Sequence, residues 1–266
     1  MTNSLLWKIE KNNCRSQSFL FGTIHVYDSN VFRIPDMLYR LIDSVDIYLP
    51  ETDNRRISYA NMLNHITVDD PDYSLRDYFS AENYSKIFNF TEIDANILNR
   101  YKPFFVSSLI LSNKDMPADS IDYELLDYAL SASKTICELE RFEEQINAIN
   151  NIPYKEQAEI IEKAMLSLDT KNDFNRLMNN YKEQNLQALK DNLKEINPTE
   201  VFIDSVQKNR NINMSNKINS LLCMGHSLFA AVGAMHIPDT ENVKGIVSIL
   251  GDMGCKVEPI EFSFTY

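Results

Sequence analysis

Two scarce residue types recur in this chain at one spacing. Gly22 stands three residues before His25 in "SFLFGTIHVYDS", and Gly233 three residues before His236 in "FAAVGAMHIPDT". The whole chain has only six glycines and four histidines. Imidazole is both a proton carrier near neutral pH and the commonest side-chain ligand of transition metals. A third apolar run, "DIYLPETD", ends in Glu51 and Asp53. Two imidazoles and one carboxylate would hold a divalent ion and still leave positions open for water and substrate. That is the chemistry of metal-assisted hydrolysis. A single histidine behind a strand is more often a hydrogen-bonded structural residue, and Glu51 alone would read as a cap or surface acid. The repeated setting is what singles these residues out. His65 and His226 lack it and read as ordinary surface or loop histidines.

Bringing the two histidines together requires strands. "SFLFG" and "LFAAVG" are apolar without interruption, as in strands covered on both faces. In open α/β sheets ligands bind where the chain leaves the carboxyl ends of strands. Neighbouring strands lie about 5 Å apart, so two adjacent exits can present both imidazoles to one ion. "LLWKIEK" pairs with "QSFLFGTIHVY" as an expected hairpin, Pro35 opens a helix over "PDMLYRLIDSV", and "VDIYLPETD" supplies a short strand stopping at Pro50. At the other end, "SLFAAVGAMH", "ENVKGIVSILGDM" and "KVEPIEFSF" read as strand, helix and strand. The stretch between, roughly 56–222, contains no glycine. Its five longest periodic segments favour helix, punctuated by Pro103, Pro117, Pro153 and Pro198. "KTICELE" is the exception, a β-prone run able to rejoin the sheet. The expected fold class is α/β (α+β). A central mixed sheet comes from the N- and C-terminal segments (1–55 and 223–266), with a mainly helical insertion (56–222), all within one domain spanning 1–266.

Composition narrows the partners. The net charge of −12 argues against nucleic acid or an anionic membrane, since both need a positive surface. No apolar run reaches the length of a membrane span. The start "MTNSLLWKIEKNN" lacks the basic flank and long apolar core of a secretory signal, so a cytoplasmic location is expected, or a periplasmic or secreted one had a leader been removed ahead of Ser4. Cys14, Cys137, Cys223 and Cys255 are scattered without a close pair and read as small buried hydrophobes, not as disulfides or a zinc site. Oligomeric state is not legible, and a homodimer is compatible with everything above.

The chain resembles the TraB/GumN family, related to the Tiki metalloproteases and more distantly to erythromycin-esterase-like and ChaN-like proteins. Seven stretches carry the resemblance in order: "LLWKIEKNNCRSQSFLFGTIHVYD", "VDIYLPETD", "YKPFF", "SIDYELLDYA", "CELERFEEQI", "RNINM" and "FAAVGAMHIPDTENVKGIVSILGDMGCKVEPI". It implies a site at Gly22, His25, Glu51, Gly233 and His236, with Asp122, Glu140, Gln145, Arg210 and Asn211 added from the helical stretch. It also implies Mn²⁺ or Co²⁺ as the metal, with Zn²⁺ a further option. The chain departs from the family pattern at Pro50, at Ser120 and Glu138 in place of glycines, and at Met235, which would narrow the pocket.

On this reading the protein is a metal-dependent hydrolase, in the first instance a peptidase, acting on a peptide or small-molecule substrate. His25, Glu51 and His236 would hold the ion, Glu140 or Glu51 would take a proton, and Arg210, with Asn211 beside it, would stabilise an oxyanion. Two other classes stay open. One is a haem- or metal-binding protein without catalysis, its pocket lined by Phe21, Tyr27 and Tyr48. The other is a metal-independent esterase using Glu and His as acid and base.

Overall fold

A computed structural model describes residues 4–11, 17–91, 93–111, 119–163, 170–195 and 199–265. Cys14, Pro117, Pro198 and the segment "AMLSL" lie outside the described residues. Six strands form one sheet: β1 (Leu6–Lys11), β2 (Ser18–Thr23), β3 (Ile47–Pro50), β4 (Thr135–Ile136), β5 (Leu228–Gly233) and β6 (Cys255–Pro259), in the order β4-β3-β5-β2-β1-β6. The sheet is mixed: β4, β3, β5 and β2 run parallel, whereas β1 is antiparallel to both β2 and β6. This is the α/β class expected from the sequence.

The apolar runs occupy the centre for a physical reason. Every residue of β2 and β3 is buried, and so is all of β5 except Gly233, because helices cover both faces there. β1 is buried only at Leu6 and Ile9 and β6 only at Cys255, and β4 is only two residues long, so the flanks are short or partly polar. β5, from near the chain's far end, inserts between β2 and β3. Their connections leave in different directions, which opens a crevice at the carboxyl ends of the three strands.

The helix after Pro35 runs Asp36–Asp43, with the proline just ahead of its first turn. Three segments depart from the sequence expectation. The helix in "ENVKGIVSILGDM" begins only at Ile246, because Gly245 leads into it and donates its N–H to Asp239 Oδ1 at 2.7 Å. The last strand stops at Pro259, and Phe262 and Phe264 turn instead into an aromatic cluster with Phe21, Phe32 and Tyr181. "FNRLMNNYKEQNLQALKDNLKEI" divides into the helices Thr170–Lys182 and Leu186–Glu195. Gln184 breaks them with a φ of 54°, its side chain accepting from Leu5 N–H at 3.1 Å and donating to Phe262 O at 2.7 Å. That pair of bonds ties the helical stretch to the sheet. Among the cysteines, Cys255 is buried and Cys137 half-buried, but Cys223 is exposed at a helix end, contrary to expectation.

Candidate functional site

The three central strands end within two residues of one another. Thr23 of β2 pairs with Gly233 of β5, and Pro50 of β3 pairs with Ala231. His25 therefore follows the end of β2, His236 sits in the 3₁₀ turn Ala234–His236 directly after β5, and Glu51 is the first residue past β3. All three line one cavity of about 690 Å³.

Both glycines shape the surroundings of His236. A Cβ on Gly22 would lie 3.1 Å from the Ala234 Cα and 2.8 Å from the Ile237 Cδ1, so its bare backbone lets the turn carrying His236 pack against β2. Gly233 donates its N–H to Glu51 Oε2 at 2.6 Å, and a Cβ there would sit 3.4 Å from that oxygen and 3.5 Å from His236 Cδ2. Glu51 and His236 thus converge on one backbone position.

Helices outside the sheet fix the side chains. Asp122, in the first turn of the helix Ile121–Ser131, takes His25 Nδ1 at 3.0 Å and the Thr23 hydroxyl at 2.5 Å. Asn211, buried in the helix Asn209–Cys223, places Oδ1 2.6 Å from His236 Nδ1 and anchors its own Nδ2 on Lys244 O at 2.9 Å. Each imidazole therefore has Nδ1 engaged by an oxygen and presents Nε2, which is how metal-binding histidines are usually oriented. Glu51 Oε1 accepts from Gln145 Nε2 at 2.8 Å and from an Arg210 terminal nitrogen at 2.5 Å. Arg210 also grips both oxygens of Glu140, at 3.1, 3.0 and 2.7 Å. It follows a π-helical stretch, Asp204–Lys208, and donates back to Val206 O at 3.2 Å. Such irregular turns recur where a helix must aim a functional side chain.

Electrostatics set unlike states on like groups. Burial would raise the Glu51 carboxyl, but His236, Arg210, His25 and the Gly233 amide more than offset it, holding the pKa at about 2. Arg210 and the amide act whatever the charge on His236. Glu140 shifts the opposite way: burial pushes it up and Arg210 only partly compensates. Two carboxylates sharing one guanidinium titrate as a coupled set, one displaced in each direction. Burial brings His236 down to about 4, so it is neutral at pH 7. Asp122 raises His25 to about 9 and favours imidazolium. His25 is 74% exposed within the open cavity, so solvent screens part of that attraction.

Not every expected residue joins the site. Asp53 is buried but bonds Arg55 at 2.9 Å instead of facing the cavity, and Glu140 lies behind Arg210, off the cavity wall. Asn211 orients His236 without lining the cavity. Phe21 and Tyr27 are core residues; of the three aromatic side chains considered for a haem pocket, only Tyr48 reaches the wall. His65 stacks edge-on against Phe142, away from the strand ends. Two participants carry no sequence signal that singled them out. Tyr181, fully buried in the helix Thr170–Lys182, donates its hydroxyl to Gly22 O at 2.6 Å and lines the cavity. Asp239, three residues after His236, accepts from Gly245 N–H and the Ser248 hydroxyl and so fixes the turn that bears the histidine. An Asp ahead of a glycine-led helix start was the available clue.

The donor set suits a divalent ion in kind: the neutral imidazole of His236, that of His25 once an ion displaces its Nε2 proton, and the ionised Glu51 carboxylate on the same cavity wall. Among the described residues, no three His, Cys, Asp or Glu side chains are already drawn into a metal cage.

With fold and geometry in place, the chain's relationships are clear at one level. The family model described as the TraB/PrgY/gumN family matches residues 5–259, and the chain belongs to that family. Neither the curated proteins nor the solved structures provide a match. No helix among the described residues is long and apolar enough to cross a membrane.

Proposed function

We propose that this protein is a metal-dependent hydrolase acting on peptide bonds. The observation that carries the reading is the pair of imidazoles at adjacent strand ends, each with Nδ1 fastened to an oxygen of a different helix and Nε2 left for a ligand. His25 and His236 would hold the ion, with Glu51 as the carboxylate member, and Mn²⁺ or Co²⁺ is preferred over Zn²⁺ on the family resemblance. When bound, such an ion lowers the pKa of water and polarises a scissile carbonyl. A carboxylate held at about 2 is a weak base at neutral pH and a ready ligand, so Glu51 belongs with the ligands. Arg210 keeps Glu51 ionised and aimed, and Glu140 keeps Arg210 in place. These two are positioning residues on this reading, in place of the base and oxyanion roles expected from the sequence.

A second reading has its own support: the two histidines sit in environments that favour opposite charge states. That pairing suits acid–base hydrolysis without a metal. Metal content by mass spectrometry separates the two, on chelator-stripped protein refilled with Mn²⁺, Co²⁺ or Zn²⁺, alongside peptide cleavage. About one ion per chain, lost in both His25→Ala and His236→Ala, with hydrolysis restored by metal, supports the first. Chelator-resistant hydrolysis without bound ion supports the second. No hydrolysis under any condition overturns both.

A further inference from the structure

The chain on either side of Glu51 carries two more polar groups into the cavity wall, Tyr48 on β3 three residues before it and Asn54, which opens the 3₁₀ turn Asn54–Arg56, three residues after. Tyr48 is fully buried, yet its Oη has no hydrogen-bond partner, and Asn54 Oδ1 is likewise sealed and unpartnered. Only five side-chain atoms are in that condition among the described residues, and these are the two on residues lining the cavity. A buried polar atom left unpaired destabilises the free protein, so such atoms usually meet a partner in another state of the molecule. Their chemistry is complementary to an amide: a hydroxyl that donates and a carbonyl oxygen that accepts. The surrounding wall is largely apolar, with Ile24, Leu126, Ile149, Leu177 and Met235 contributing to it, so a hydrogen bond made there is well shielded from water.

We propose that Tyr48 and Asn54 form a backbone-binding subsite, in which Tyr48 Oη–H donates to a carbonyl and Asn54 Oδ1 accepts from an N–H of the bound chain. The segment pushing into the cavity uncovers both atoms. The inference rests on the reading of this cavity as a peptide site. It does not depend on the metal.

The test compares wild type with Tyr48→Phe, Asn54→Ala and Tyr84→Phe. Tyr84 has an equally unpartnered buried hydroxyl but lies off the cavity wall, and so serves as the control. Thermal midpoints are measured without ligand, and affinity and kcat/KM with a peptide selected from a random library on wild type. Tyr48→Phe is expected to raise Tm by about 2 °C while weakening peptide affinity and kcat/KM about tenfold. Tyr84→Phe should raise Tm with no change in either, and Asn54→Ala should weaken binding in the same direction as Tyr48→Phe. A Tm that falls in Tyr48→Phe, or peptide affinity equal to wild type, overturns the subsite. Should wild type bind peptide without cleaving it, the hydrolase reading fails while the affinities still decide the subsite. A wild type that binds no peptide overturns both.

Discussion

Arg210 is the residue on which the charges of the site depend. Its guanidinium satisfies Glu51 and Glu140 at once, and all three side chains are largely buried. Removing one partner of such a group leaves an uncompensated buried charge, worth about 3–5 kcal/mol. Arg210→Met should therefore lower stability by that amount, and Glu140→Gln by less, since Arg210 still holds Glu51. Chemical denaturation measures both; equal losses would show that Glu140 matters to stability as much as the arginine. Three cavity-lining groups contribute to the pH dependence of the metal-free protein. Glu51 is held at about 2, so its contribution is lost as pH falls from its usual carboxylate range toward 2. His236 favours the neutral form, so stability also falls as pH drops from 6.5 toward about 4. His25 favours the charged form, and its contribution fades as pH rises from 6.5 toward about 9. Thermal midpoints should peak near pH 6.5 and fall more steeply on the acid side, because exposure of His25 weakens the alkaline limb. His236→Gln should flatten the acid limb between 6.5 and 4; an unchanged slope there would contradict its assignment.

At the scale of elements, the glycines give a graded prediction. Gly245→Ala would place a Cβ 2.1 Å from Ile237 O, against backbone that also forms the His236 turn, and should be the most damaging. Gly22→Ala meets Ala234 and Ile237 less severely and should cost about 1–3 kcal/mol, as overpacking does. Gly251, inside a helix with nothing near its missing Cβ, should tolerate alanine with a gain of about 0.5–1 kcal/mol. Equilibrium unfolding of the three variants tests the ranking, and equal effects would defeat the packing account. Legibility followed the same lines. The strand ends could be read because each apolar run stops at a glycine or proline and a chemically distinctive residue follows. Tyr181 and Gln184 could not, because they sit in an Asn- and Leu-rich helical stretch whose periodicity says which face is buried but not what that face meets. Their partners, Gly22, Leu5 and Phe262, are more than seventy positions away. The setting of Glu140 was equally illegible, since its motif says nothing of the guanidinium placed between it and the cavity. Tyr181→Phe, which keeps the ring but loses the bond to Gly22, should cost about 1–2 kcal/mol, read by denaturation; no loss would mean the helix is held by packing alone.

For the whole molecule, the important fact is that β5 lies between β2 and β3. Ser18 accepts the N–H of Leu228 across a separation of 210 residues. A ribosome delivers His25 and Glu51 long before His236, so a growing chain holds two of these three residues without the strand that joins them. Until then the edges of β2 and β3 have no neighbour between them, and a chain stopped at Cys223 should fail to develop the near-ultraviolet circular dichroism of the full chain. Acquisition of the site is thus a report that translation has passed β5. A chain released before β5 would hold neither the middle of the sheet nor the third of these residues.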